Sequence, residues 1–256
     1  MKVLFKIENK DIDEVKRLYE VYRDNPHVSA QINIKKNPKK ITRSKFWFHL
    51  VSCLLTTQQR SGKGSRVINF LNQSPFPLDF KQCGSQENLE KYVYAQIEKN
   101  GLRFKEKIAK EVSLNYSILK EKTNWDDILT VLRQMNPEKT ITEDEQIKVE
   151  RLAADKIKEK FIGIGLKQSR NLLKDLNLSK WEIPIDTRVI NWISGRIGAA
   201  NPERFLVTTS GLGSEKYYLY IQGVLQELSK KAEVYPCVLD AIIWESGEKK
   251  QTVLVY

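Results

Sequence analysis

The sequence predicts an all-α fold, and three observations carry that prediction. Apolar residues recur at helical spacing along most of the 256 residues. Strand signals are confined to one short alternation, Val28, Ala30, Ile32 and Ile34, and to the β-prone tail Val253-Leu254-Val255. No unit repeats at a fixed period, which argues against a solenoid.

The helices follow in order. Trp47, Leu50, Val51, Leu54 and Leu55 fall on one helix face. Leu89, Val93 and Ile97 form a second stripe, and Ile108, Val112, Tyr116 and Leu119 a third. Asn124 with Asp127 is expected to cap a helix running through Ile128, Leu129 and Leu132. Val149, Leu152, Ala153 and Ile157 mark a fifth helix, and Ser169, Leu172, Leu173 and Leu176 a sixth. Asp186 opens a seventh with Val189, Trp192, Ile193 and Arg196. Tyr217, Ile221, Val224, Leu225 and Leu228 mark another, and a last helix is expected from about Pro236 to Glu245.

With 41% hydrophobic residues the chain is long enough for one large domain or for two lobes sharing a core. A net charge of +11 favours a polyanionic partner, nucleic acid being the commonest, although lysine-rich chains are also basic for solubility alone. The run Lys35-Lys36-Asn37-Pro38-Lys39-Lys40 reads as a solvated loop or as a phosphate contact. Cys53, Cys83 and Cys237 are far apart and odd in number, with no C-x-x-C, which argues against a zinc ribbon, an iron–sulfur cluster or a disulfide framework. His27 and His49 are the only histidines and carboxylates do not cluster at ligand spacing, so no metal and no cofactor is expected. The start, Met1 to Lys6, has too short an apolar run for a signal peptide, and no window approaches the roughly 18 apolar residues of a membrane span. These features predict a soluble intracellular protein, cytoplasmic and nucleoid-associated or nuclear, with no membrane partner.

The segment with the most chemistry is Phe161-Ile162-Gly163-Ile164-Gly165-Leu166-Lys167. Two glycines spaced i, i+2 between helices permit a tight turn with positive φ and leave room for a phosphate to approach the backbone. The next helix then offers free N–H groups and its positive dipole end. Such a turn binds a nucleic-acid backbone without reading bases. A plain helix–turn–helix connection with a glycine C-cap is the simpler alternative.

From Gly163 to Asn171, and again from Ile183 through Pro184, Ile185, Asp186 and Thr187 to Arg188, the chain resembles the helix-hairpin-helix DNA glycosylase superfamily. The bifunctional pattern there is G-[VI]-G-x-K followed by [VI]-x-[VI]-D-[TV]-[HR]. Lys167 and Asp186 stand nineteen residues apart, as in the 8-oxoguanine glycosylases. Leu54-Leu55-Thr56-Thr57-Gln58-Gln59 is similar to the family's L-L-S-x-Q/N stretch. Arg188 departs from the histidine of many members, and the four-cysteine loop of endonuclease III is absent.

The resemblance implies two helical lobes with the hairpin at the DNA-binding cleft between them. Residues 44–182 would form the central lobe, and 1–43 with 183–256 the second. It implies a base-excision-repair glycosylase with lyase activity, monomeric, acting on double-stranded DNA that holds an oxidised base, 8-oxoguanine foremost. An oxidised-pyrimidine enzyme of endonuclease III type and a non-catalytic hairpin module are the alternatives. Lys167 would attack the sugar as a neutral amine, which a positive helix end favours. Asp186 would stabilise the charge developing on the sugar; otherwise it is a plain N-cap. Gly163, Gly165, Arg60, Lys63 and Arg188 would contact DNA, with Gln58 and Gln59 filling the space a flipped base leaves; a polar helix end is the other reading of that pair. Asn171 shares a helix face with Lys167. Asp240 and Trp244, also four apart, would read and stack the base, unless Trp244 is a core residue.

Overall fold

The computed structural model describes residues 7–34, 37–60, 62, 64–135, 142–196 and 209–251. The described residues are helical and contain no strand. The helices are α1 (Asn9–Tyr22), α2 (Pro26–Ile32), α3 (Arg43–Leu55), α4 (Arg66–Leu71), α5 (Phe80–Gly84), α6 (Leu89–Lys99), α7 (Lys105–Lys120), α8 (Lys122–Gln134), α9 (Glu143–Lys160), α10 (Leu166–Asp175), α11 (Thr187–Arg196), α12 (Glu215–Lys231) and α13 (Pro236–Gln251). The tail at 253–255 and the lysines at 35 and 36 lie outside the described residues. No helix among the described residues is long and apolar enough to cross a membrane.

The chain divides into two compact units, residues 36–178 and residues 1–35 with 179–256. Ile41 and Leu178, near the two ends of the middle unit, both pack into its core. That core is built around α3, whose Trp47, Leu50, Val51, Leu54 and Leu55 are essentially inaccessible. Trp47 donates its indole N–H to the carbonyl of Leu78 at 2.8 Å, so burying the ring leaves no polar group stranded.

Three local expectations change. The alternating stretch at Val28–Ile34 is largely helix α2: Pro26 occupies its first turn and the Asn25 side chain accepts from the His27 N–H at 2.9 Å, so capping overrides the period-2 pattern. The helix expected to begin at Asn124 begins at Lys122. Only Glu121 separates it from α7, and Asn124 turns back to donate to the Ile118 carbonyl at 2.9 Å, satisfying an orphan group of the preceding helix. On α9 the buried face is Glu150, Ala153, Ala154 and Ile157, while Leu152 faces solvent. The two alanines let α10 pack closely on this face, with Arg170 of α10 fully buried and its Nη2 3.9 Å from Asp155.

In the terminal unit α13 is the central element, packed against α1, α2, α11 and α12. Its residues from Cys237 to Ile243 are all buried, which is why no single apolar stripe marks it and why it reads as a core helix. It runs to Gln251, beyond the expected end near Glu245. The segment Trp181–Ile185 is not helical, and Tyr218 and Gln226 of α12, two turns apart on one face, bind its backbone groups, while Ser179 Oγ accepts from the Glu182 N–H at 3.2 Å. Tyr218 donates to the Ile183 carbonyl at 2.9 Å and accepts from the Ile185 N–H at 2.8 Å; Gln226 donates to the Trp181 carbonyl at 2.9 Å. Ile183, Ile185 and Tyr218 are buried, so water cannot replace the phenol. Tyr218→Phe, which strands both groups, is expected to lower unfolding free energy by roughly 2–4 kcal/mol in a urea titration.

Candidate active site

The glycine-rich turn lies where the sequence places it, between α9 and α10. Phe161 ends α9 and packs its ring on Phe46 of α3, the centroids 5.5 Å apart. Ile162 is half exposed at the tip, yet both of its backbone polar groups are bound by one side chain. Its N–H donates to Asn115 Oδ1 and its carbonyl accepts from Asn115 Nδ2, each at 2.8 Å. Asn115 itself is fully buried on α7. This clamp fixes the hairpin tip to the middle unit, and the sequence reading missed it, since one asparagine among apolar residues resembles any polar helix position.

The two glycines serve different ends. Gly163 has φ +79°, which a side chain would strain, and a Cβ there would stand 2.5–2.7 Å from the carboxylate of Glu111. Burial pushes the Glu111 carboxyl up, with Lys107 opposing. Gly165 has φ −93° and ψ −168°, open to any residue, and nothing lies within 4 Å of a Cβ built on it. As the N-cap of α10 it contributes no side-chain oxygen, so the first amides of that helix lack a side-chain cap.

Lys167 is the second residue of α10 and is half-buried. Its neighbour Gln168 is buried and joins α10 to the end of α3: Nε2 donates to the Cys53 carbonyl at 2.8 Å and to Thr57 Oγ1 at 2.7 Å. Gln168 Oε1 accepts from Asn171 at 2.9 Å, which brings the expected pocket residue Asn171 into the same network one turn beyond Lys167. The Cys53 thiol donates to the Gln168 carbonyl at 3.6 Å. Burial raises that thiol well above its ordinary value, Asp175 adds to the effect and Lys167 opposes it, so Cys53 stays a neutral thiol beside the lysine-bearing helix. Gln168 was not singled out by sequence, although its place next to Lys167 was a signal.

The pair Gln58-Gln59 separates into two roles. Gln59 is engaged by backbone: its amide donates to the Leu55 carbonyl at 2.6 Å and accepts from the Arg103 N–H at 3.1 Å. Gln58 is exposed, in the left-handed region at φ +54°, and of the two it is the one that projects. Arg60 is exposed nearby, and Lys63 lies outside the described residues.

Asp186 and its partners are in the terminal unit. Asp186 caps α11: Oδ1 accepts from the backbone N–H of Arg188 at 2.9 Å and of Val189 at 3.3 Å. Its other oxygen accepts from the Arg188 guanidinium through Nε at 3.1 Å and Nη2 at 2.5 Å. The Arg188 guanidinium lies over the Trp244 ring, 3.5 Å from its centroid. Asp240, one turn before Trp244 on α13, is buried. Among the described residues no group of three or more His, Cys, Asp or Glu is placed to hold a metal ion.

No protein-family model and no curated protein matches this sequence. Solved structures do match over nearly the whole chain. The 8-oxoguanine DNA glycosylase of Methanocaldococcus jannaschii aligns with TM-score 0.65 and 16% identity, covering 93% of this chain and 94% of that one. The glycosylase/lyase from the same organism, in complex with a 15mer DNA containing 8-oxoguanine, aligns with TM-score 0.63 and 16% identity over 92% and 98%. The 8-oxoguanine DNA glycosylase of Thermotoga maritima gives TM-score 0.63 and 16% identity over 92% and 94%. The chain therefore has the fold of these helix-hairpin-helix glycosylases.

The contrast between the two glycines is measurable. Gly163→Ala is expected to cost about 1–2 kcal/mol of stability from its left-handed backbone. Gly165→Ala is expected to cost less than about 1 kcal/mol, the penalty of a weaker N-cap. Equal midpoints for the two variants in a denaturant titration would contradict this division.

Proposed function

We propose that the protein is a DNA glycosylase with lyase activity that removes an oxidised base, 8-oxoguanine foremost, from double-stranded DNA. One observation carries the reading: a lysine stands in the first turn of the helix that follows an uncapped glycine hairpin, in a chain with the fold of 8-oxoguanine glycosylases. The first turn of α10, which has no side-chain cap, and the positive end of its dipole suit a backbone phosphate, with Gly165 leaving room for it. The net charge of +11 suits the same partner.

In the proposed reaction the Lys167 amine attacks C1′ of the damaged nucleotide. The N-glycosidic bond breaks, its electron pair leaves with the base, and the base takes up a proton. The amine loses its protons as the sugar ring opens to an imine. Loss of a C2′ proton then expels the 3′ phosphate oxygen and nicks the strand. Asp186 is assigned the stabilisation of positive charge on the sugar as the base departs, with its rotamer held by the cap of α11. Gln58, exposed at the end of α3, is assigned the space vacated by the flipped nucleotide, and Asn171 and Asp240 remain the polar candidates for reading the base.

Borohydride trapping on duplexes carrying 8-oxoguanine, thymine glycol, an abasic site or no lesion tests the assignment. A covalent adduct is expected with 8-oxoguanine, and Lys167→Gln should abolish it while binding the duplex within about threefold of the parent, since one lysine–phosphate contact is worth little at moderate salt. An adduct with thymine glycol alone would transfer the enzyme to oxidised pyrimidines. Undiminished DNA binding with no adduct on any substrate would leave a non-catalytic hairpin module. Asp186→Asn, with Lys167 intact, is expected to slow base release at least tenfold, the usual scale for removing one charge that stabilises a transition state.

A further inference from the structure

Asp186 is gripped from one side by a residue that has its own support. Arg188 puts both Nε and Nη2 on Asp186 Oδ2, while Oδ1 is held by two backbone amides. The carboxylate is largely buried, 14% exposed, whereas the arginine is 41% exposed. An arginine this open, paired with a residue two positions away, ordinarily gives little, because ordering its long side chain offsets the attraction. Here the ordering is supplied by Trp244 of α13, whose ring face lies 3.5 Å from the guanidinium carbon. Trp244 is in turn set edge-on to the His27 imidazole, at 6.4 Å and 88°. His27 Nδ1 is 3.2 Å from Glu245 Oε1, and Glu245 Oε2 accepts from Asn25 at 2.9 Å. A continuous set of contacts thus runs from the cap of α2, through α13, to the carboxylate at the head of α11.

We propose that Arg188 is a positioning residue for Asp186 and that Trp244 is its platform. The inference rests on the role proposed for Asp186 above, and it replaces two expectations with one. A guanidinium stacked on Trp244 and paired with a carboxylate is occupied, so it is not poised for a phosphate. A ring face covered at 3.5 Å has no room for a nucleobase on that side. The arrangement serves the reaction by fixing the direction of the carboxylate before substrate arrives, the kind of preorganisation that lowers a barrier without tightening binding.

The test separates rate from affinity. Arg188→Ala is expected to lower the single-turnover rate of 8-oxoguanine release about tenfold or more, with the dissociation constant for the duplex changed by less than about threefold. Millimolar guanidinium chloride, against sodium chloride at equal ionic strength, should restore part of the rate, because a free guanidinium fits between Trp244 and Asp186. Trp244→Leu should reproduce the defect and Trp244→Phe, which keeps a ring face, should relieve it. Weaker binding with a shallower salt dependence and an unchanged rate would overturn the proposal and make Arg188 a phosphate contact. A rate loss in Trp244→Leu but not in Arg188→Ala would also overturn it and make the ring a base-stacking surface. If the parent protein releases no base, the reading of its function fails instead. The Arg188 platform is then judged by NMR alone: slow exchange of the Arg188 Nε proton must be lost in Trp244→Leu, and its persistence would refute the platform.

Discussion

A buried backbone N–H or C=O outside a helix must find a partner, and this constraint organises both segments that carry the candidate chemistry. The hairpin tip and the strand-like run before Asp186 are non-helical pieces in an all-helical protein. Neither pairs with another extended segment. Each is held by side chains from a neighbouring helix: Asn115 of α7 grips both polar groups of Ile162, and Tyr218 of α12 bridges the carbonyl of Ile183 and the amide of Ile185. Gln226 and Gln168 repeat the device at Trp181 and at the end of α3. Buried polar side chains are expensive unless satisfied, so these four positions fix their segments in one conformation.

The same constraint applies at the helix starts, where α7, α8 and α10 have no side-chain cap. Helices α2, α3, α4, α5, α6 and α9 begin with a side chain that accepts from their first amides. Helix α10 begins at Gly165 with none. Serine or aspartate there would stabilise the helix by a few tenths of a kcal/mol. Glycine gives up that stability and leaves amides directed at whatever approaches. At Asp186 the opposite choice is made: the carboxylate caps α11 and is further tied by Arg188, so its freedom is spent before any ligand binds.

Helix positions were legible because each middle-unit helix buries one face: the stripes on α3, α6 and α7 follow directly from spacing 3 and 4. Leu152 shows the limit of that reading. Spacing alone placed it inside, but α9 presents Glu150, Ala153 and Ala154 inward instead, small residues being what the close approach of α10 requires. The start of α8 was misread because the group that Asn124 satisfies, the carbonyl of Ile118, belongs to another helix.

The sequence by itself determined the helical class, the glycine hairpin, and the order Gly163, Gly165, Lys167 and Asp186, because these depend on local periodicity and on backbone needs that a residue type states openly. Gly163 requires its positive φ wherever the turn occurs. Only the tertiary structure decided which polar residues act together. Gln59 is turned to the backbone while Gln58 projects, Trp244 lies under Arg188, and Asn115 holds a turn 47 residues away. Such pairings join residues far apart in the chain, and a hydrogen bond or a stacked guanidinium is specified by distance and direction, which a one-dimensional pattern of residue types does not contain.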